Sequence, residues 1–258
     1  VGEMALGKPI LDSWPKAGFA RGIVYSSWDG TYPERTRWER DLIYFKALGV
    51  NWIQIMTFAR QPKISGPEIV FLDARRWPNH FVRAARKAGF KILLKPHVWS
   101  PQFYDGSNRW RGSIQMASDA DWAHWFTQYR AFIIDEAKRA EKSGAEMLSI
   151  GLEYVEASKH TSEWRRLIKA VRKVYSGALT YAADGNHELE HIKFWDELDL
   201  IGVNSYFALA PGETPSMLML RLSWIHPLAK IALLAHRYDK GIILTEAGYP
   251  SIVGSAEK

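Results

Sequence analysis

Short apolar runs alternate with amphipathic helical patterns along almost the whole chain. Seven runs have the length and composition of buried β-strands: 22–26, 52–57, 91–97, 147–153, 179–183, 200–206 and 242–246. Several of them are apolar throughout, which is typical of parallel strands covered on both faces. Because crossovers between parallel strands are right-handed, the pattern leads most simply to a (β/α)8 barrel. The sequence therefore predicts an α/β protein with a single barrel domain over residues 1–258.

Helical patterns fill the gaps between these strands. Apolar residues spaced three and four apart predict helices over 34–48, 77–88, 119–142, 162–175, 188–195 and 216–238. Gly49, Gly89 and Gly144 stand just beyond the first three helices, where C-cap glycines belong. Pro227 is expected to kink or split the last helix, because proline cannot donate to the helical ladder.

An eighth strand is missing from the pattern. Only twelve residues follow Glu246, too few for another helix and strand. A sheet left open between its first and seventh strands would expose two hydrogen-bonding edges. We therefore expect the natural chain to continue for roughly 40–70 residues, or a partner to supply the strand. A doubly wound open sheet is the alternative fold, disfavoured because no Gly-rich phosphate loop follows any strand.

The composition argues against several classes of function. The chain has no cysteine, which excludes disulfides, thiolate catalysis and Cys-ligated metals. Its net charge of +6 is scattered without a long basic run, so no nucleic-acid partner is predicted. The sequence lacks a run of about 18 or more apolar residues, so we predict no membrane span. The chain starts at Val1 with no signal-like segment, and its compartment and oligomeric state are left open.

Two carboxylates end apolar runs in separate β/α units. Glu153 follows Ser-Ile-Gly-Leu, and Glu246 follows Ile-Ile-Leu-Thr. Because a parallel barrel keeps its chemistry at the carboxyl ends of its strands, both acids are candidate catalytic residues. The simpler interpretation is that each one caps a helix or pairs with a surface Arg. The fourth and seventh strands of a barrel face each other across its mouth, where two carboxyl groups can share one substrate.

Other polar and aromatic residues lie at or beyond the same strand ends. Lys95 and His97 can bond sugar hydroxyls or tune the acid. Tyr206 can donate its phenol to Glu246 and keep that carboxylate ionised. The loop 98–118 is long for a barrel and carries aromatic side chains suited to the apolar face of a sugar. The remaining candidates for substrate contact are Trp28, Trp99, Trp110, Arg111, Asp184, Asn204 and Tyr249.

Six sequence blocks together resemble glycoside hydrolase family 113, barrel enzymes known mainly as endo-β-1,4-mannanases. They are Leu-Lys-Pro-His-Val-Trp (94–99), Trp-Arg-Gly-Ser-Ile (110–114), Ile-Gly-Leu-Glu (150–153), Leu-Thr-Tyr-Ala-Ala (179–183), Ile-Gly-Val-Asn-Ser-Tyr-Phe (201–207) and Leu-Thr-Glu-Ala-Gly-Tyr (244–249). The resemblance extends from about Gly22 to Tyr249. It implies retaining hydrolysis of a β-linked polysaccharide or oligosaccharide, with β-1,4-mannan as the leading substrate and no cofactor. It also implies that Glu153 is the acid/base and Glu246 the nucleophile.

Departures from the family pattern keep other functions open. Related barrel hydrolases usually have Asn or Thr before the acid/base Glu, where this chain has Leu152. The dipeptide Asp184-Gly185 stands where the family tends to have Asn-Trp. One alternative is therefore a catalytically silent carbohydrate-binding barrel.

A second alternative comes from His187-Glu-Leu-Glu-His191, which matches the zinc motif H-E-x-x-H. On a helix this spacing puts two imidazoles one turn apart, with the Glu as general base. The simpler interpretation is a solvated helix start whose acids favour the N-terminal dipole.

Overall fold

The computed structural model describes residues 19–25, 35–71, 79–210 and 214–249. Within them the strands are β1 (Gly22–Tyr25), β2 (Trp52–Arg60), β3 (Val70–Phe71), β4 (Lys91–Trp99), β5 (Met147–Leu152), β6 (Ala178–Asp184), β7 (Leu200–Asn204) and β8 (Gly241–Glu246). The sheet order is β1-β2-β4-β5-β6-β7-β8, with parallel neighbours throughout, and β3 pairs antiparallel with β2. This curled sheet of seven parallel strands is consistent with a partial (β/α)8 barrel. All seven predicted strands are present, with ends that differ by up to three residues from the predicted ones, and Ser26 lies outside the described residues. The short strand β3 is not predicted by the sequence pattern.

In the described ranges, six α-helices accompany the strands. They are α1 (Arg35–Ala47), α2 (Asn79–Lys87), α3 (Asp119–Ser143), α4 (Thr161–Val171), α5 (Met217–Ser223) and α6 (Ile225–Tyr238) among the described residues. Gly49, Gly89 and Gly144 have φ values of 74°, 82° and 74°, as expected where a helix ends in a left-handed residue. The N-terminus of α3 is capped by Ser118, whose hydroxyl accepts the Asp121 N–H at 3.1 Å.

The segment Met217–Tyr238 is divided at Trp224 between α5 and α6. In a continuous helix the Pro227 ring would clash with the carbonyl of Ser223, four residues earlier. The break lies next to Ser223, so the helix is split near the proline as predicted. By length and composition alone this segment could cross a membrane. One helix that meets this criterion is weak evidence for a membrane span, so the absence of a span stays a prediction.

The helix predicted over 188–195 is wrong. Residues 185–191 form turns, and the only helical stretch described there is a 3₁₀ turn at Trp195–Glu197. The side chain of Asp184 accepts the backbone N–H groups of Asn186 at 2.8 Å and His187 at 2.7 Å. Such local side-chain bonds offer the backbone an alternative to the helix.

A layer of aromatic side chains supports the carboxyl ends of β5 and β6. The Trp125 ring stacks on Tyr129 with centroids 4.7 Å apart. The Trp164 ring meets the edge of Tyr181 at 5.1 Å, and both side chains are fully buried. Each such pair adds roughly 0.5–1.5 kcal/mol beyond area burial, so these strand ends are held rigidly.

Candidate active site

Polar side chains from the middle of β4, from the ends of β7 and β8, and from the residue after β5 form one connected cluster. The Asn204 amide donates to Glu153 Oε1 at 2.7 Å, and its carbonyl accepts from Lys95 Nζ at 3.3 Å. Lys95 Nζ in turn donates to Glu246 Oε1. The hydroxyl of Thr245 donates to the same Asn204 carbonyl at 2.8 Å and fixes the orientation of the amide. The structure therefore links the two predicted catalytic carboxylates through Asn204 and Lys95, which we call the carboxylate cluster.

Strand register accounts for this convergence. The pairing of β7 with β8 shifts between Val203 and Asn204, so that Asn204 comes opposite Glu246. The pairing of β5 with β6 shifts between Ser149 and Leu152, just before Glu153. Irregularities of this kind redirect side chains near active sites.

Glu246 lies at the open side of the cluster. Its Oε2 accepts the Tyr206 hydroxyl at 2.8 Å, and Tyr206 is 42% exposed. Burial acts to raise the pKa of Glu246, but the charge and hydrogen bond of Lys95, helped by Tyr206 and Arg111, hold that pKa below its ordinary value. The Glu246 carboxyl is therefore ionised and restrained at both oxygens.

Glu153 lies deeper and in a different electrostatic setting. It is 7% exposed, and its Oε2 accepts from Arg111 Nη1 at 3.2 Å. Burial raises the pKa of Glu153 above its ordinary value, although Arg111 and the Asn204 amide act to lower it. Its backbone φ is +51°, in the left-handed region that residues other than glycine seldom adopt.

Lys95 and His97 are both buried beside these acids, as their place in the sequence predicts. Burial lowers the Lys95 pKa, against the raising effect of Glu246 and Glu153. Burial, with the charges of Arg111 and Lys95, holds the His97 pKa well below its usual range. His97 Nδ1 lies 2.9 Å from Arg111 Nη2, and since a guanidinium only donates, the neutral imidazole accepts through Nδ1.

The arrangement suits general acid and nucleophile chemistry. Neighbouring environments push the pKa of Glu153 up and that of Glu246 down. A pair of carboxyl groups separated in this way can divide into a proton donor and an ionised attacking group.

The other predicted contact residues lie around the cluster or outside it. Trp110 faces His187, with ring centroids 5.7 Å apart, and Trp99 stacks on Tyr104 at 6.4 Å. The Asp184 carboxylate bonds within its own turn, and the Tyr249 hydroxyl donates to the Phe207 carbonyl at 2.9 Å. Trp28 lies outside the described residues.

Two functional features were missed in the sequence. Thr245, directly before Glu246, orients Asn204, and a polar residue inside an apolar run was the available signal. Leu152 is fully buried in the core, and the amide that contacts Glu153 comes instead from Asn204 on β7. Glu153 thus has a polar neighbour on β7 rather than at the preceding position of its own chain segment.

The H-E-x-x-H motif does not take the helical form that a zinc site needs. His187 and His191 lie in a run of turns, and His187 Nδ1 is 2.8 Å from Asp184 Oδ1. Over the described part of the chain, no three His, Asp or Glu side chains are grouped to hold a metal ion. The zinc-hydrolase alternative therefore loses its geometric basis, while freedom from cofactors stays a prediction.

The sequence matches the family model of Glycoside Hydrolase Family 113 over residues 23–258. Among solved structures it is similar to a GH113 β-1,4-mannanase described as a complex, with 27% identity, a TM-score of 0.78, and coverage of 93% of this chain and 76% of that chain. It is also similar to the GH113 β-mannanase AaManA from Alicyclobacillus acidocaldarius in complex with ManMIm, with 26% identity, a TM-score of 0.76, and coverage of 94% and 75%.

A β-glucuronidase from Ruminococcus gnavus is 15% identical, with a TM-score of 0.61 and coverage of 93% of this chain and 39% of that chain. At that identity the likeness concerns the fold alone. Among proteins of curated function, none matches the sequence significantly.

Proposed function

Since the chain belongs to glycoside hydrolase family 113 and is therefore a glycoside hydrolase, we propose that it cleaves β-1,4-linked mannan with retention of anomeric configuration. The solved mannanases similar to this chain support that substrate. The mechanism rests on one observation, the opposite pKa directions of Glu153 and Glu246 within the carboxylate cluster.

In the first step, the ionised carboxylate of Glu246 attacks the anomeric carbon while protonated Glu153 gives its proton to the departing glycosidic oxygen. The bond to the leaving sugar breaks as the glycosyl-enzyme ester forms. In the second step, the Glu153 carboxylate takes a proton from water, and the water oxygen attacks the anomeric carbon from the opposite side. Glu246 leaves as a carboxylate, and both residues return to their starting states.

The neighbouring groups divide between these two roles. Lys95 and Tyr206 bond to Glu246 and favour its ionised form as nucleophile and leaving group. Asn204 holds Glu153 through its amide, and Arg111 lowers the cost of the charged form that acts as base in the second step. Trp99 at the end of β4 and Trp110 on the loop beyond it are proposed as platforms for neighbouring sugars.

Closure of the sheet into a barrel is also part of this proposal. Within the described ranges, β1 and β8 are the two edges of the sheet and pair with no common strand. We propose that one more strand lies between them and closes a (β/α)8 barrel, as the arrangement of the other seven suggests.

A substrate panel with product stereochemistry tests the function. The purified protein is incubated with manno-, gluco-, xylo- and galacto-configured β-linked oligosaccharides, and the first product anomer is followed by proton NMR. We expect cleavage of manno-oligosaccharides with the β-anomer formed first. An α-anomer would contradict the retaining mechanism, and saturable binding without cleavage would support the silent-barrel alternative.

The zinc alternative has its own test. EDTA treatment and His187→Ala are expected to leave activity within about the small change of a surface substitution. Activity lost on chelation and regained with Zn²⁺ would restore that alternative.

A further inference from the structure

The strained backbone at Glu153 is held by hydrogen bonds on both sides of its Cα. The Glu153 N–H donates to the Ala182 carbonyl at 3.0 Å. The next N–H, that of Tyr154, donates to the side-chain hydroxyl of Tyr181 at 3.0 Å. A left-handed residue other than glycine persists where its surroundings over-determine it, and here the second restraint is a side chain.

The Tyr181 hydroxyl is itself oriented by Glu188. It donates to Glu188 Oε2 at 3.1 Å, which leaves its oxygen lone pairs for the Tyr154 N–H. The other oxygen of Glu188 accepts the Asp184 N–H at 3.0 Å. Glu188 is thus anchored to the end of β6 and presents one oxygen to Tyr181.

The glycine at position 151 and the burial of Glu188 fit this arrangement. A Cβ at Gly151 would stand 2.8 Å from the Tyr181 ring and 2.6 Å from Trp164, so only glycine lets these rings approach β5. Glu188 is 1% exposed, and burial raises its pKa to about 8, against the lowering effect of its hydrogen-bond donors. A buried carboxyl costs free energy unless its bonds are well made. The reaction proposed above does not use this carboxyl, which calls for another role.

We propose that Tyr181 and Glu188 are positioning residues that set the direction of the Glu153 side chain through the Tyr154 amide. The inference rests on the proposed function, since it assigns these residues to the acid/base step. It also gives the Glu of the H-E-x-x-H motif a role without metal: its carboxyl group orients a tyrosine rather than a water molecule.

Loss of the Tyr181 hydroxyl should impair proton transfer by Glu153 selectively. When Tyr181 is replaced by Phe, the Tyr154 N–H and Glu188 Oε2 lose their common partner. Asn204 and Arg111 still bond to the Glu153 carboxyl, but the backbone restraint that directs it toward the leaving oxygen is gone. Glu246, which is fixed by Lys95 and Tyr206, is unaffected. Substrates that need protonation to leave should therefore suffer, whereas activated substrates should not.

The test measures kcat/KM, which reports the glycosylation step, on two substrates of the same sugar. One is an unactivated oligosaccharide and the other carries a 2,4-dinitrophenolate leaving group. For Tyr181→Phe we expect about a 10- to 100-fold loss on the oligosaccharide, the scale of a misplaced catalytic group. On the dinitrophenyl glycoside we expect a loss of about threefold or less. Glu188→Gln keeps one acceptor oxygen, so its kcat/KM on the oligosaccharide should lie between the values of Tyr181→Phe and wild type.

The matched control is Tyr175→Phe. The Tyr175 hydroxyl is also buried and donates to a backbone carbonyl, that of Ala145 at 2.8 Å, before the opposite end of β5. This variant should lose stability without changing the ratio of the two kcat/KM values. Equal losses on both substrates in Tyr181→Phe, or none on either, would overturn the proposal.

Exchange of the Tyr154 amide hydrogen gives a readout independent of activity. We expect its exchange, followed by NMR of ¹⁵N-labelled protein, to become at least about tenfold faster in Tyr181→Phe and to stay unchanged in Tyr175→Phe. Unchanged protection in Tyr181→Phe would overturn the positioning contact itself. A wild-type protein that cleaves no glycoside would instead overturn the proposed function, and the catalytic half of this inference with it.

Discussion

Glu153 and Glu246 are joined through Asn204 and Lys95, yet their surroundings differ in burial, charge and backbone. Glu153 is enclosed, has a left-handed backbone, and receives its cation from Arg111 on a loop. The Glu246 side chain is 18% exposed and receives its cation from the fully buried Lys95 inside the sheet. Two residues of the same type thus acquire different chemistry, because the position of the neighbouring cation and the exposure to water differ between them.

The largest effect expected is that of Glu246→Ala. Loss of the group that forms the covalent intermediate should lower turnover of every substrate by at least about 10⁴-fold. Added azide should not restore product of the original anomeric configuration, because no carboxylate remains to form the first intermediate. Glu190→Ala is the control, since Glu190 is an exposed acid paired with Lys230 at 3.1 Å. Full recovery of β-configured product with azide would show that the nucleophile lies elsewhere.

Glu153→Ala should separate the two carboxylates by leaving group. Hydrolysis of poor leaving groups should fall by about 10²- to 10⁴-fold, the usual contribution of a general acid. Glycosylation from a dinitrophenyl glycoside should persist, and azide should then release a β-glycosyl azide, identified by NMR. Unchanged activity on poor leaving groups, with no azide adduct, would remove Glu153 from the acid/base role.

The two cations should control opposite limbs of the pH profile of kcat/KM. Lys95 is the main group lowering the Glu246 pKa, so Lys95→Met should move the acidic limb to higher pH. Arg111 is the main group lowering the Glu153 pKa, so Arg111→Met should move the alkaline limb to higher pH. Removing one close opposite charge shifts a pKa by about 1 unit or more.

Arg109→Met is a suitable control for these profiles. Arg109 lies on the same loop as Arg111 but pairs with Asp105 at 3.7 Å near the surface. Its substitution should leave both limbs in place. If Lys95→Met and Arg111→Met moved the same limb, the division of roles between Glu153 and Glu246 would be wrong.

Much of this comparison is visible in the sequence, for a physical reason. Because parallel strands end at one edge of a sheet, recognising the apolar runs was enough to bring Glu153, Glu246, Lys95 and Asn204 together. Tyr206 could be paired with Glu246 because their strands are neighbours.

The remaining features depend on tertiary detail that a local pattern does not carry. The contact of Asn204 with Glu153 depends on register shifts, which local sequence spacing does not encode. The burial of Glu188 was missed because Asp184 captures the following N–H groups and turns a predicted helix into a turn. The polar sequence around Glu188 predicts a solvated side chain, whereas the structure buries it.

The smallest effect concerns another buried carboxyl, that of Glu136, which lies away from the carboxylate cluster and isolates the effect of burial on a carboxyl pKa. Glu136 on α3 is 8% exposed, similar to Glu153, and accepts the Thr57 hydroxyl at 3.1 Å. Burial raises the pKa of Glu136 to about 7, although Thr57 and Arg139 act to lower it. Because the folded pKa lies above the unfolded one, its protonated form favours folding fully below about pH 4.5, and that contribution is lost as the pH rises through about 7.

Glu136→Gln keeps an acceptor for Thr57 but cannot ionise. We therefore expect the Tm of the variant to be close to that of wild type at about pH 5. At about pH 8 the Tm of the variant should be higher than that of wild type by a few degrees. Scanning calorimetry across this range measures the change, and turnover should be unaltered. A constant difference in Tm at every pH would mean that Glu136 does not titrate there. Burial alone would then be insufficient to raise a carboxyl pKa in this protein, which would weaken the same argument for Glu153.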